Sequence, residues 1–223
     1  MTNSACATDL IQSIEQADSP SCLVAAVRAL AEARLEAGIP TLISVLGYNN
    51  PEAAVAAVDG LVQLGEVAVP PLLERLDDYN YGARAYSFRA LAAIGDPRAL
   101  DALLNAAETD FAPSVRRAAA KGLGNLRWCQ LPSEQRQLAP DRVLKTLQLL
   151  SHDPDWAIRY AAVVGLQALA ASEPAAQPAF VSQILARFDQ ITQVDADLAV
   201  RARVWLAQQQ LKAANDQLSA LSY

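Results

Sequence analysis

Asp153-Pro154-Asp155-Trp156-Ala157-Ile158-Arg159 returns 42 residues later as Asp195-Ala196-Asp197-Leu198-Ala199-Val200-Arg201, with Asp, Asp, Ala and Arg at the same offsets. Upstream, Asp110-Phe111-Ala112-Pro113-Ser114-Val115-Arg116 runs into Ala118-Ala119-Ala120, and Asn80-Tyr81-Gly82-Ala83-Arg84 runs into Ala90-Leu91. A weaker copy, with Ala54 where Arg would stand, is Asn49-Asn50-Pro51-Glu52-Ala53-Ala54, leading to Gly60-Leu61. Ser19 to Ala33 reads as a degenerate first unit. Each copy is a polar turn followed by an Ala-rich run. A recurrence of this kind is the signature of stacked repeats rather than of one closed core.

The spacing of Ala54, Arg84 and Arg116 is about 30 residues, enough for two helices of three to four turns and tight turns. It stretches to about 42 where the segment Trp128 to Asp141 is inserted. Gly65, Gly95 and Gly124 stand where helices would end, and Asp96-Pro97 opens the next one. Leu100, Leu103 and Leu104 make one apolar stripe, and Leu144, Leu147 and Leu150 another. No segment alternates with period two, so essentially no strand is expected. The prediction is all-α: an α-solenoid of HEAT-like repeats, one domain over 1–223 with about five helical pairs. Residues 172–223 would form a C-terminal repeat and cap, entered through the Pro-rich stretch Ser172 to Pro178. Small side chains let neighbouring helix axes approach, and stability comes from stacking pairs that cannot bury their own apolar faces.

Composition removes several classes. The 223 residues are 52% hydrophobic and 19% charged, which excludes disorder. Three cysteines, Cys6, Cys22 and Cys129, cannot frame a disulfide scaffold and lack the CxxC spacing of a zinc site. No apolar run approaches the roughly 18 residues of a span, and no secretory signal is visible. A net charge of −6 argues against sequence-independent nucleic-acid binding. His152 is the one histidine, and no phosphate-cradling glycine motif occurs. A self-contained catalytic constellation is therefore not expected.

Aromatic residues make up 6% of the chain, and many fall at the repeat turns. Tyr79, Tyr81, Tyr86, Phe88, Phe111, Trp128, Trp156 and Tyr160 lie among Arg84, Arg89, Arg116, Arg117, Arg127 and Arg159. Arg pairs bidentately with carboxylates and stacks on π-faces, so such a surface suits a planar, carboxylate-bearing ligand or a protein partner. The same residues admit a structural reading. Asp110/Arg116, Asp153/Arg159 and Asp195/Arg201 would form a ladder in which Asp caps a helix and Arg bonds a neighbouring Asp or carbonyl. Arg89 and Arg117 fall outside that register. Trp205, mid-helix in an Ala-rich run, is expected in the core.

The strings Asn80 to Tyr86, Arg89 to Leu100 and Ser114 to Gly124 resemble the phycobilisome-lyase type of HEAT-like repeat. The stretch Leu46 to Leu126, with Val58-Asp59-Gly60-Leu61-Val62-Gln63-Leu64-Gly65, resembles the F-type subunits of phycocyanobilin lyases. The resemblance implies a cytoplasmic cyanobacterial protein that pairs with an E-type subunit. Together they would attach phycocyanobilin, a transferred substrate and not a resident cofactor, to a cysteine of the apo-phycocyanin α subunit. The acceptor would bring the thiol, which accounts for a chain without a triad. On this resemblance Asp110 would meet the pyrrole N–H groups. Arg89 and Arg117 would take the propionates, and Tyr81, Tyr86, Trp128, Trp156 and Tyr160 would pack on the rings. No nucleic acid, membrane or metal is implied. Related lyase-isomerases carry an Asn-His-Cys-Gln motif; Arg127-Trp128-Cys129-Gln130 stands here, which favours plain ligation. A non-enzymatic factor in chromophore detachment or phycobilisome degradation is the alternative.

Overall fold

A Ser, Asn or Asp oxygen closes the entrance to most of the second helices of the repeats. Ser19 Oγ accepts from Cys22 N at 3.2 Å, Asn50 Oδ1 from Ala53 N at 3.1 Å and Asn80 Oδ1 from Ala83 N at 3.0 Å. Asp155 Oδ1 and Asp197 Oδ1 accept from Ala157 N and Ala199 N at 2.8 Å. These caps satisfy backbone donors that a helix leaves open, and proline often follows at the first helical positions. At the other end, Gly95 (φ 70) adopts the left-handed conformation and returns its N–H to Leu91 O.

The computed structural model describes residues 2–76, 79–172 and 178–220. Among them are twelve α-helices and no strand. The first compact unit, residues 1–102, holds α1 (Thr2–Glu15), α2 (Pro20–Ala33), α3 (Ile39–Val45), α4 (Pro51–Leu64), α5 (Val69–Glu74) and α6 (Tyr81–Ile94). Helix α7 (Leu100–Thr109) begins in it. The second unit, 103–223, holds the rest of α7 with α8 (Pro113–Leu123), α9 (Ser133–Leu150), α10 (Trp156–Ala170), α11 (Pro178–Val194) and α12 (Leu198–Ala220). The even-numbered helices are the second members of six pairs, one more than the repeat spacing suggests. The extra pair is α1 and α2, whose sequence has drifted from the pattern. The anticipated break at Ser172–Pro178 lies largely outside the described residues.

Second helices stack on second helices. In the first unit α2 packs on α4 and α4 on α6; in the second unit α8 packs on α10 and α10 on α12. The tenth residue after each cap is small throughout: Ala29, Gly60, Ala90, Gly122, Gly165, Ala207. Its reason is visible at α8 and α10. A Cβ on Gly165 would stand 2.4 Å from the Ala120 carbonyl oxygen, and one on Gly124 would stand 2.2 Å from the Gly165 carbonyl oxygen. Gly124, read from sequence as a helix end, has φ −78 and no left-handed role; close backbone approach accounts for it.

The ladder joins successive repeats by different chemistry in the two units. In the first, Asn50 Nδ2 donates to Pro20 O and Asn80 Nδ2 to Gly47 O, each at 3.4 Å. In the second, Arg116 meets Asp153 Oδ2 at 2.7 Å, and Arg159 grips Asp195 with two bonds of 2.8 Å. The Arg159 and Asp195 side chains are mostly buried. The hydrogen bond from Arg159 holds the Asp195 carboxyl below the usual carboxylate range, against the opposing effect of burial. Arg187 ties α11 to the turn after α9 through Ser151 Oγ at 2.8 Å and Ser151 O at 3.0 Å.

One helical stretch, Pro51–Glu74, is by length and composition apolar enough to cross a membrane, contrary to the reading from sequence. An 18-residue window within it has a mean hydropathy of 1.4, and half of that window is buried. The 3-10 turn Gly65–Ala68, with Gly65 at φ 71, divides it into α4 and α5.

Two outcomes are expected. Arg159→Ala strands a buried carboxylate and should cost about 3 kcal/mol, read as a drop of several degrees in Tm. Because the Asp195 pKa is depressed, the pair stabilises fully above the ordinary carboxylate pKa of about 4, and that stability fades as pH falls through the lowered value. The parent's advantage over Arg159→Ala should therefore shrink in acid melts below about pH 4. Gly165→Ala should destabilise by about 1–3 kcal/mol in denaturant titration, since its Cβ meets the Ala120 backbone oxygen as well as the Leu147 side chain.

Candidate functional site

Numbered from the caps, the second, fifth and ninth positions of the second helices lie on one face of each unit. In the second unit these are Ser114, Arg117 and Lys121 of α8, then Ala157, Tyr160 and Val164 of α10, then Ala199, Ala202 and Leu206 of α12. Arg117 and Tyr160 hold the same register on helices that pack directly, and both are half-buried. From the other side Arg203 of α12 reaches Tyr160, its guanidinium carbon 6.0 Å from the ring centroid. Gln167 Oε1 accepts from Arg203 Nη2, while Arg203 Nη1 is buried and meets no acceptor among the described residues. Burial pushes the Arg203 pKa down from its ordinary value. A buried cationic donor of this kind gains from an incoming carboxylate.

Sequence reading did not single out Arg203. The signal was present, because it occupies the sixth position after its cap, where Tyr86 stands on α6. A composition scan sees only another Arg in Arg201-Ala202-Arg203. The packing of α12 on α10 is what sets it over Tyr160.

The other candidates separate. Trp156 and Tyr160 are one turn apart on α10, with Trp156 half-exposed at the helix start. In the first unit, Tyr81 opens α6 exposed, and Arg89 lies over the Tyr86 ring at 5.2 Å. Trp128 departs from expectation. It is 4% exposed, in a 3-10 turn after α8, and so is buried and not offered to a ligand. Asp110 closes the turn before α8, its Oδ1 accepting from Ala112 N at 2.8 Å. Asp153 and Asp195 make the equivalent bonds, to Asp155 N at 2.8 Å and Asp197 N at 2.9 Å. A repeated turn-closing role explains Asp110 without a ligand. Trp205, expected in the core, is 62% exposed.

The first unit has a different electrostatic character. A groove of about 250 Å³ between α2 and α4 is lined by Arg28, Glu32, Glu52, Val55, Asp59 and Gln63. Its one cation is tied to Glu52 at 2.7 Å. Three carboxylates against one paired guanidinium repel a dianionic ligand, so this groove does not fit a propionate-bearing molecule. Among the described residues no cluster of His, Cys, Asp or Glu could hold a metal ion. Cys22 and Cys129 are free, exposed thiols.

Comparison with known proteins agrees with the architecture. HEAT repeats match residues 7–84 and 69–138. A phycocyanobilin lyase subunit beta of Nostoc sp. is 58% identical over 202 residues, 91% of this chain and 98% of that protein. The phycocyanin alpha phycocyanobilin lyase CpcF of Synechocystis sp. is 57% identical over 161 residues, covering 72% of this chain and 75% of that one. The solved complex of CpcE and CpcF of phycocyanin lyase from Nostoc sp. contains a chain 61% identical, with a TM-score of 0.71 over 77% of this chain and 98% of that one. A designed armadillo repeat protein, 19% identical with a TM-score of 0.58, shares the fold alone. With the repeat architecture, the identity and the coverage in agreement, the chain belongs to the HEAT-repeat family of phycocyanobilin lyase subunits.

Proposed function

We propose that this chain is the F-type subunit of a heterodimeric lyase. With an E-type subunit it attaches phycocyanobilin, through a thioether, to a cysteine of the phycocyanin α subunit. The observation that carries the reading is the Arg117–Tyr160–Arg203 face on the second unit. It offers one aromatic ring with the Arg203 guanidinium over it and Arg117 at the same register of the neighbouring helix, a complement for a conjugated ring system bearing two propionates. The relatives are named as phycocyanobilin lyase subunits and a phycobilisome maturation protein, which favours this reading over a degradation factor.

Ligation of this type adds a thiol S–H across a carbon–carbon double bond of the bilin. The C–S bond forms, the thiol proton passes to the bilin, and nothing is oxidised. The acceptor protein supplies the nucleophile, so the chain needs no reactive Cys or His. Its work is to hold the open-chain tetrapyrrole in one conformation and present it, which is catalysis by positioning. Arg203 Nη1 and Arg117 would anchor carboxylates, and Tyr160 and Trp156 would meet ring faces. Tyr81, Tyr86 and Arg89 form a second aromatic–cationic cluster on the first unit, suited to the ligand's edge or to the acceptor protein.

Co-expression with an E-type subunit, a bilin source and the apo α subunit should give a covalent, zinc-fluorescent adduct; absence of adduct above background would refute the proposal. In the same assay Arg117→Ala should lower transfer about tenfold while helicity and melting stay near the parent, because the change lies outside the ladder. Arg116→Ala, which breaks the ion pair to Asp153, should instead lower Tm by several degrees. Arg203→Lys should lose more transfer than stability, since an ammonium cannot bond Gln167 and leave a second donor fork arm beside Tyr160.

A further inference from the structure

The sixth residue after each cap is Ala25, Ala56, Tyr86, Ala118, Ala161 and Arg203 along the six second helices. The twelfth is Ala31, Val62, Ala92, Gly124, Gln167 and Gln209. Both positions are small or apolar through most of the array, as close stacking requires. Arg203 breaks the first rule and Gln167 the second, and the two exceptions meet. Arg203 Nη2 donates to Gln167 Oε1 where α12 packs on α10. The Gln167 amide is itself fixed, since its Nε2 donates to Gln210 Oε1 at 2.6 Å. That bond settles which end of the amide turns to the guanidinium: the carbonyl oxygen and not the nitrogen.

The arrangement costs stability and leaves a donor open. Burial lowers the Arg203 pKa, and no carboxylate among the described residues pairs with it to offset that cost. Nη1 is buried and meets no acceptor among them. Packing alone would be better served by alanine at both positions, as at the buried Ala161 and Ala31. Two local rules broken together, without compensation in the fold, mark a functional site. A neutral amide is also the choice that keeps the guanidinium's charge available. An Asp or Glu in its place would form an ion pair and consume it.

We propose that Gln167 is a positioning residue for a bilin carboxylate: it holds Arg203 Nη2, leaves the guanidinium charged, and reserves the remaining donors, Nη1 among them, for one propionate beside Tyr160. Gln210 in turn orients the Gln167 amide. The inference rests on the reading of the Arg117–Tyr160–Arg203 face given above, and adds to it the residue that decides what Arg203 selects. A tetrapyrrole with a free carboxylate gains from the cation, whereas the same ring system with its carboxylates esterified does not. Gln167 touches no reacting atom and acts through Arg203 alone.

The test titrates the full chain, together with the E-type subunit, with phycocyanobilin and with its dimethyl ester. Binding is read by visible absorbance and melting by circular dichroism. The parent should prefer the free acid by about tenfold or more. Gln167→Glu should lower free-acid affinity about fivefold and leave the ester within about twofold, with Tm at or above the parent, because the new carboxylate pairs with Arg203. Gln167→Leu should lower free-acid affinity to a similar degree. In an Arg203→Leu chain, Gln167→Leu should change free-acid affinity by less than about twofold, as expected for a residue that acts through Arg203. A Gln167→Glu chain that keeps the parent's free-acid affinity overturns the positioning role while the face stands. Equal losses of acid and ester in both Gln167 variants, with Tm lower by several degrees, also overturn it, since the amide then serves the fold. An Arg203→Leu chain that prefers the acid as strongly as the parent does, or a parent that does not distinguish acid from ester, overturns the reading of the face itself.

Discussion

Backbone-to-backbone approach between successive second helices is the constraint on which the rest depends. Where Gly165 faces the Ala120 carbonyl, no side chain can intervene. The helices therefore stack at a distance set by main chain, and their face positions are brought close enough for one ligand to touch two or three helices. The Ala-rich composition follows from that distance. So does the small tenth position of every second helix: Ala29, Gly60, Ala90, Gly122, Gly165 and Ala207.

Close stacking raises a second requirement. Short helices with small side chains bury little area each, so polar ends must be satisfied and locked. Asn50 and Asn80 do this with neutral bonds to the preceding repeat, while Arg116 and Arg159 do it with ion pairs to the following one. Asp195 serves twice, closing its own turn through Asp197 N and receiving Arg159. The Asp-to-Arg pattern is therefore structural in the second unit. The guanidinium groups proposed to meet a ligand, Arg117 and Arg203, lie outside that register. Adjacent arginines in one helix thus differ in work by the face on which they lie.

Much of this was legible in the chain alone. The cap residues, the small tenth position and the ladder repeat at fixed offsets, so helix type, repeat class and the structural status of Arg116 and Arg159 could be read from spacing. The candidate site was only partly legible. Residue type and turn proximity singled out Arg117 and Tyr160, which hold one register on packed helices, and also Trp128, which is buried, and Asp110, which closes a turn. Arg203 was missed because its partner ring sits on another helix, 43 residues earlier.

Periodicity determines what a residue faces along its own helix, and it gives Trp205 and Val163 the same position after their caps. It does not determine whether a neighbour is there. Tertiary structure decided that Val163 is core and Trp205 is surface. The sequence by itself settled the repeat, its helices and its caps, since these depend on local spacing and backbone satisfaction. Which aromatic residues are available to a ligand or a partner depended on packing between segments far apart in the chain, and only the folded structure could settle it.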